Sequence, residues 1–142
     1  MIEGLSFHHI GIACRDLLKN ESAYAALGYV RGSEFVDPGL GVRGMFLQGP
    51  GPQLELISDL PGQRVVAPWL VRDAVMYHLA FETTDIAASV ATLCEQGARI
   101  VRRPTPAVVF GGRPVAFVML RNMALVELIS SPEPGERDRY ER

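Results

Sequence analysis

Apolar and polar positions alternate with period two over residues 7–13, where Ile10 and Ile12 fall on one face and Phe7, His9 and Gly11 on the other. That pattern predicts a strand with one covered face. The period then changes. Asp16 stands where a helix N-cap is wanted, Leu17, Leu18, Tyr24, Ala25 and Leu27 collect near one helical face, and Gly28 supplies the stop. Three more strands are predicted over residues 29–36, 42–47 and 53–58, divided by Asp37-Pro38-Gly39 and by Gly49-Pro50-Gly51-Pro52. The unit reads strand, helix, strand, strand, strand.

Residues 59–75 interrupt the pattern with Pro61-Gly62 and Pro68, and carry the chain's one tryptophan, Trp69, in a short helix-compatible piece. The first unit then begins again. A strand is predicted over 76–83, and Asp85 caps a helix in which Ile86, Val90, Leu93 and Cys94 follow the spacing i, i+4, i+7, i+8 until Gly97 ends it. Strands are predicted over 98–102, 115–120 and 125–130, with a long Pro/Gly loop over 104–112. The tail, 131–142, is dominated by charge, Pro and Gly and is expected to fray. The resulting division of the 142 residues is one domain: module one at about 6–58, a linker at 59–75, module two at about 76–130, then the charged tail.

The two units repeat in detail. His9 and His78, Asp16 and Asp85, and Gly28 and Gly97 are each 69 positions apart, Gly41 and Gly112 and Phe46 and Phe117 are 71 apart, and Glu55 and Glu127 are 72 apart. An offset that holds and then drifts by a few residues marks a duplicated module with small loop insertions. A copy of roughly 50 residues buries too little to stand alone, so the two are expected to pack across a pseudo-two-fold axis.

The duplication puts an acid in mid-strand twice, in Leu54-Glu55-Leu56-Ile57-Ser58 and again in Val126-Glu127-Leu128-Ile129-Ser130. A buried carboxylate normally pairs, takes a proton or binds a metal. If the strands of each unit are neighbours in one curved sheet, His9, Glu55, His78 and Glu127 meet in a common cup. Two imidazoles and two carboxylates suit a borderline or moderately hard divalent ion, Zn, Ni, Co, Fe or Mn, with room left for water or a substrate oxygen. The alternative, hydrogen-bonded core histidines and solvent-facing glutamates, is favoured for any one of these residues alone. It is disfavoured for the set, because chance would have to place both residue types at matching positions in both halves.

Other candidates are weaker. His8 is expected on the opposite face from His9, as a packing or surface residue, and its counterpart is Tyr77. Arg43, Arg102, Arg103 and Arg113 could hold a substrate anion but read more simply as solvated strand ends. Ser58 and Ser130 have no base placed to activate them, and Gly111-Gly112 opens no helix, so neither nucleophilic catalysis nor a nucleotide fingerprint is indicated.

Composition adds limits. With 48% apolar and 21% charged residues, a net charge of −2 and a pI near 5.9, the chain offers no broad basic surface for nucleic acid or anionic membrane. No apolar run reaches the length of a membrane span and no signal-peptide pattern opens the chain, so a cytoplasmic protein is expected. Cys14 and Cys94 read as separate reduced thiols. Sheet edges left by each module make a homodimer plausible.

The strings His8-His9-Ile10-Gly11-Ile12-Ala13 with Asp16, Leu54 to Ser58, Tyr77 to Thr83 with Asp85, and Val126 to Ser130 resemble the vicinal oxygen chelate superfamily, the glyoxalase, epimerase and ring-cleaving dioxygenase group, and within it most resemble methylmalonyl-CoA epimerase-like members. The resemblance implies an α+β fold, two paired βαβββ modules forming an open barrel-like cup, with His9, Glu55, His78 and Glu127 holding one divalent metal ion (Zn, Ni, Co or Mn). It also implies a metal-dependent isomerase or lyase that acts through a metal-stabilised enolate on a small carbonyl or acyl-thioester substrate, with Glu127 or Glu55 as the base. The acidic residue that epimerases of this kind carry in a Glu-X-Gly-Val string is replaced here in Gly39-Leu40-Gly41-Val42, which points to one-base chemistry of the glyoxalase I kind. Two alternatives remain: a non-catalytic small-molecule or antibiotic-binding protein of the bleomycin-resistance kind, and an Fe(II) extradiol dioxygenase.

Overall fold

The computed structural model of the chain describes residues 1–132; of the expected charged tail, positions 133–142 lie outside the described residues. The elements are β1 (Ser6–Ala13), α1 (Leu17–Ala25), β2 (Val30–Asp37), β3 (Val42–Gln48), β4 (Leu54–Asp59), α2 (Ala67–Val71), β5 (Met76–Thr83), α3 (Ile86–Glu95), β6 (Arg99–Pro106), β7 (Pro114–Met119) and β8 (Leu125–Ser130), with a short 3-10 turn at Val108–Phe110. The strand–helix–strand–strand–strand order therefore occurs twice.

The strands join into one curled sheet in the order β2-β3-β4-β1-β5-β8-β7-β6. Within each module the first strand lies parallel to the last, β1 to β4 and β5 to β8, while β1 and β5 meet antiparallel at the centre. That central pair makes the two copies one sheet. Asp16 and Asp85 cap the helices as expected, their carboxylates accepting from the backbone N–H of Lys19 and Ala88. Each helix covers the outer face of its own half. Ile12, Met45, Leu47 and Leu56 pack with Leu17 and Tyr24 of α1, and Ala116, Val118, Val126 and Leu128 pack with Val90, Ile86 and Leu93 of α3. The opposite, inner face is lined by two further clusters, one around Val42, Ile57, Val66, Tyr77 and Trp69, the other around Phe46, Phe110, Val115 and Ile129.

Three local expectations change. Leu18 and Leu27 are exposed: only Leu17 and Tyr24 of α1 reach the core, and the helix ends at Ala25, before Leu27. β6 runs on to Pro106, past the expected end at 102, pairing Thr105 with Val115. It is the outermost strand of the sheet, where a missing proline N–H breaks no ladder bond. The third change matters most for the site. In β1, Phe7 pairs with Phe81 and His9 with Ala80, so His8 is an extra residue and the strand bulges there. The bulge cancels the alternation between neighbours: Phe7 meets Phe81 edge to face, and His8 joins His9 inside, both rings against Phe46.

Candidate metal centre

Pairing register carries the four expected residues together. Across the inner face, Phe46, Glu55, Gly11 and His78 stand in one row of cross-strand neighbours, and Phe117, Glu127, Ala80 and His9 stand in the equivalent row of the other half. Each row sets a glutamate and a histidine on either side of a small residue. The small residue is required sterically: a Cβ on Gly11 would overlap the His78 imidazole. Each glutamate therefore reaches over the central strand pair to a histidine of the other module.

The result is a compact ring of donors. His9 Nε2 lies 3.3 Å from Glu55 Oε1 and 3.2 Å from Glu127 Oε1, and His78 Nε2 lies 3.5 Å and 3.3 Å from the same two oxygens. The two Nε2 atoms are 3.0 Å apart, and one ligand atom from each of the four residues lies within 4.8 Å of the others. All four are buried, with exposures of 0% for His9, 3% for Glu55, 4% for His78 and 4% for Glu127.

Two carboxylates enclosed this way require positive charge. Burial alone would push the His9 imidazolium down, but the Glu55 charge and hydrogen bonds with Glu127 and Glu55 outweigh it and raise its pKa from 6.5 to about 10. Burial would likewise raise Glu127, yet hydrogen bonds from His78 and His9 hold it at about 2. The metal-free ring thus retains a proton as its counter-charge. A divalent cation would supply the same charge on four converging lone pairs, and the N2O2 donor set fits the borderline ions named above.

The ring lies at the floor of a cavity of about 320 Å³. Its walls are mostly apolar and aromatic, with Phe35, Trp69, Tyr77, Phe110 and Phe117 among them, and Glu55 and Glu127 both reach it. Burial, then the Glu127 and Glu55 charges, raise the Tyr77 hydroxyl above its ordinary range, so it stays protonated. Of the arginines considered from sequence, Arg102 lines the cavity; Arg43 lies in separate surface grooves, and Arg103 is exposed. Arg64, in the linker, is a second cavity-lining cation that the strand pattern did not single out. Ser58 donates to the Cys14 carbonyl at 2.8 Å, which accounts for its hydroxyl structurally.

Asp37 and His8 also differ from what their sequence context implies. Asp37 looked like a turn residue of Asp-Pro-Gly, but it is buried beside the cavity, 3.3 Å from where a Gly39 side chain would begin. Its oxygens accept from Leu40 N at 3.1 Å and from Val108 N at 2.8 Å, clipping the β2–β3 turn to the loop after β6. His8 is the other. Expected on the opposite face, it is buried with its Nδ1 2.7 Å from His9 Nδ1, and it is packed edge-on against Phe110.

Residues 8–117 match the family model described as Glyoxalase/Bleomycin resistance protein/Dioxygenase superfamily. A curated relative, an ethylmalonyl-CoA/methylmalonyl-CoA epimerase of Cereibacter sphaeroides, is 31% identical over 126 residues, covering 85% of this chain and 94% of its own length. Among solved structures, methylmalonyl-CoA epimerase of Mycobacterium tuberculosis superimposes with a TM-score of 0.77 at 25% identity, over 94% of this chain and 93% of the other. A Streptomyces coelicolor methylmalonyl-CoA epimerase variant in complex with 2-nitronate-propionyl-CoA gives a TM-score of 0.69 at 28% identity, over 89% of this chain and 94% of the other. The doubled strand–helix–three-strand unit, its curled sheet and these matches agree, and the chain belongs to the glyoxalase/bleomycin resistance protein/dioxygenase superfamily, also called the vicinal oxygen chelate superfamily.

Proposed function

We propose that this chain is a metal-dependent isomerase of the epimerase type, moving a proton on the carbon next to the carbonyl of a small acyl-CoA thioester. One observation carries the reading: a buried ring of two histidines and two glutamates forms the floor of an apolar cavity that both carboxylates reach. The epimerase relatives supply the substrate class.

His9, His78, Glu55 and Glu127 would hold the ion, which when bound supplies positive charge at the substrate carbonyl oxygen and makes the neighbouring C–H more acidic. A carboxylate takes that proton, and the C–H electron pair moves toward the carbonyl. Glu55 and Glu127 come from opposite halves of the pseudo-two-fold, which would let them serve the two faces of the reacting carbon and replaces the one-base expectation raised by Gly39-Leu40-Gly41-Val42. Inversion needs a base and an acid on opposite faces: one glutamate, as the carboxylate, accepts the proton, and the other, entering the step protonated, returns its proton to the far face. Asp37 stands near the position of the missing Gly39 side chain, but backbone N–H groups engage both its oxygens, so its part is to join the cavity rim. The apolar walls exclude water, and Arg64 and Arg102 offer charge for the anionic portion of the substrate.

The test is α-proton exchange in heavy water with single epimers of methylmalonyl-CoA and ethylmalonyl-CoA, using protein purified without chelator and assayed for metal content. Metal-dependent deuterium incorporation with inversion is expected. A protein that holds no divalent ion, or one that loads with metal yet exchanges no proton of either thioester, overturns the reading.

A further inference from the structure

The ring of four is nearly symmetric, but its surroundings are not. Behind His9 runs a line of buried polar groups that continues away from the cavity. His9 Nδ1 and His8 Nδ1 are 2.7 Å apart, His8 Nε2 is 4.0 Å from Glu82 Oε1, and Glu82 Oε2 is 3.9 Å from Arg113 Nη1. Arg113 is fixed in turn, donating from Nη1 to the Ser130 carbonyl at 2.6 Å and from Nε to the Phe110 carbonyl at 3.2 Å. His8, Glu82 and Arg113 are all buried. The duplication relates these positions to Tyr77, Ala13 and Val42, which lie together in one apolar cluster on the other side of the ring. His78 Nδ1 has no hydrogen-bond partner among the described residues.

We propose that His8, Glu82 and Arg113 form a positioning chain that fixes the tautomer and ring orientation of His9 for metal binding. The proposal rests on the reading of the ring as a metal site. Two ring nitrogens 2.7 Å apart share one proton, so one must donate and the other accept. A neutral His9 that offers its Nε2 lone pair to a cation carries its proton on Nδ1 and donates it to His8 Nδ1. His8 then carries its own proton on Nε2, on the side of the Glu82 carboxylate, and Arg113 balances that carboxylate. The His9–His8 contact is of hydrogen-bond length, and Glu82 faces His8 and Arg113 at ion-pair distances of 4.0 and 3.9 Å, which favours the His8 proton on Nε2. Burying a carboxylate and a guanidinium costs desolvation that their attraction and the two Arg113 hydrogen bonds offset only in part, and the β1 bulge is what brings His8 into the line.

The experiment is titration of chelator-stripped protein with Zn²⁺ against a chromophoric competitor, for wild type, His8→Phe, His8→Asn and Glu82→Gln. Fold is checked by circular dichroism, and the visible spectrum of the Co²⁺ form is recorded in parallel. His8→Phe removes the acceptor and is expected to weaken affinity by about 10–100-fold, the usual effect of losing a group that orients a ligand. His8→Asn places an acceptor oxygen where Nδ1 stood and is expected to restore most of the loss, together with the wild-type Co²⁺ spectrum. Glu82→Gln is expected to weaken binding less than His8→Phe. A folded His8→Phe protein with wild-type affinity overturns the proposal, as does equal weakening in His8→Phe and His8→Asn, which would make the residue packing alone. If His8→Phe does not fold, Glu82→Gln decides, and unchanged affinity there overturns it. Wild type that binds no Zn²⁺ removes the metal reading itself, whereas wild-type binding with unaffected variants removes only the positioning chain.

Discussion

The two ends of the pseudo-two-fold differ in kind. At the His9 end, positions 8, 82 and 113 are histidine, glutamate and arginine, and the ring is backed by charge; at the His78 end the equivalent positions 77, 13 and 42 are tyrosine, alanine and valine, and the ring opens onto a greasy cavity. The duplicated unit therefore supplied a symmetric ring, and divergence of its neighbours made one side a support and the other a binding face. A single cation site needs both: donors held to within tenths of an ångström, and an open approach for substrate. Four symmetric donors alone give neither.

Changes to the shared ring should have the largest effect. Glu127→Gln and Glu55→Gln are each expected to lower turnover of the true substrate by about 10²–10⁴-fold while leaving the fold intact, as loss of a general base does. Steady-state rates and circular dichroism check this, and full activity in either variant would remove that glutamate as a base. Gly11→Ala tests the ring from its floor. The new Cβ meets the His78 imidazole, so metal affinity is expected to fall by more than the about 10–100-fold assigned to loss of an orienting partner. Ala80→Gly, the matching change in the other half, only opens space and should be milder. Equal effects from the two would mean that His78 is free to move, and the steric account would fail.

Acidity sharpens the comparison next. In chelator-treated protein the His9 pKa is raised from 6.5 to about 10, so the stability it contributes is complete below 6.5 and lost as pH climbs toward 10. Glu127 is lowered from 4.5 to about 2, so its contribution is complete above 4.5 and lost as pH falls toward 2. The melting temperature without metal should therefore be highest between 4.5 and 6.5 and decline on both sides. Saturating metal should flatten the alkaline decline, because the cation replaces the proton that His9 gives up; an alkaline limb unchanged by metal would contradict this.

Asp37 links the halves at the cavity rim. Asp37→Asn presents an N–H donor to one of two backbone N–H donors, leaving a buried group unsatisfied at a cost of about 1–3 kcal/mol, visible as a lower melting temperature. The smallest effect is expected for Tyr77→Phe. It stands where the pseudo-two-fold would put His8, but no hydrogen bond links it to His78 among those described, so Zn²⁺ affinity should stay near wild type. A loss as large as that of His8→Phe would erase the distinction between the two ends.

The ring was legible because duplication wrote each of its members twice. His9 with His78 and Glu55 with Glu127 recur at offsets of 69 and 72, and a mid-strand acid is conspicuous wherever it stands. The supporting chain was illegible for the same reason. Its repeat partners are Tyr77, Ala13 and Val42, so comparing the halves hides it. His8 was placed on the wrong face because a strict period of two assumes one residue opposite one, and the bulge puts two residues of β1 opposite one of β5. Asp37 was hidden behind its own turn motif, since Asp-Pro-Gly is explained by local backbone chemistry before any distant partner is considered.

By itself the sequence determined what local periodicity and repetition can encode: the order of strands and helices, the caps at Asp16 and Asp85, the doubling, and the kinds of residue in the ring. Tertiary structure decided which residues face one another across strands distant in the chain. It set the rows that run from Phe46 to His78 and from Phe117 to His9, the overlap that demands Gly11, and the asymmetry between the polar and apolar ends of the cup. The physical reason is that pairing register and bulges come from satisfying backbone hydrogen bonds across the whole curled sheet, and no segment carries that constraint alone.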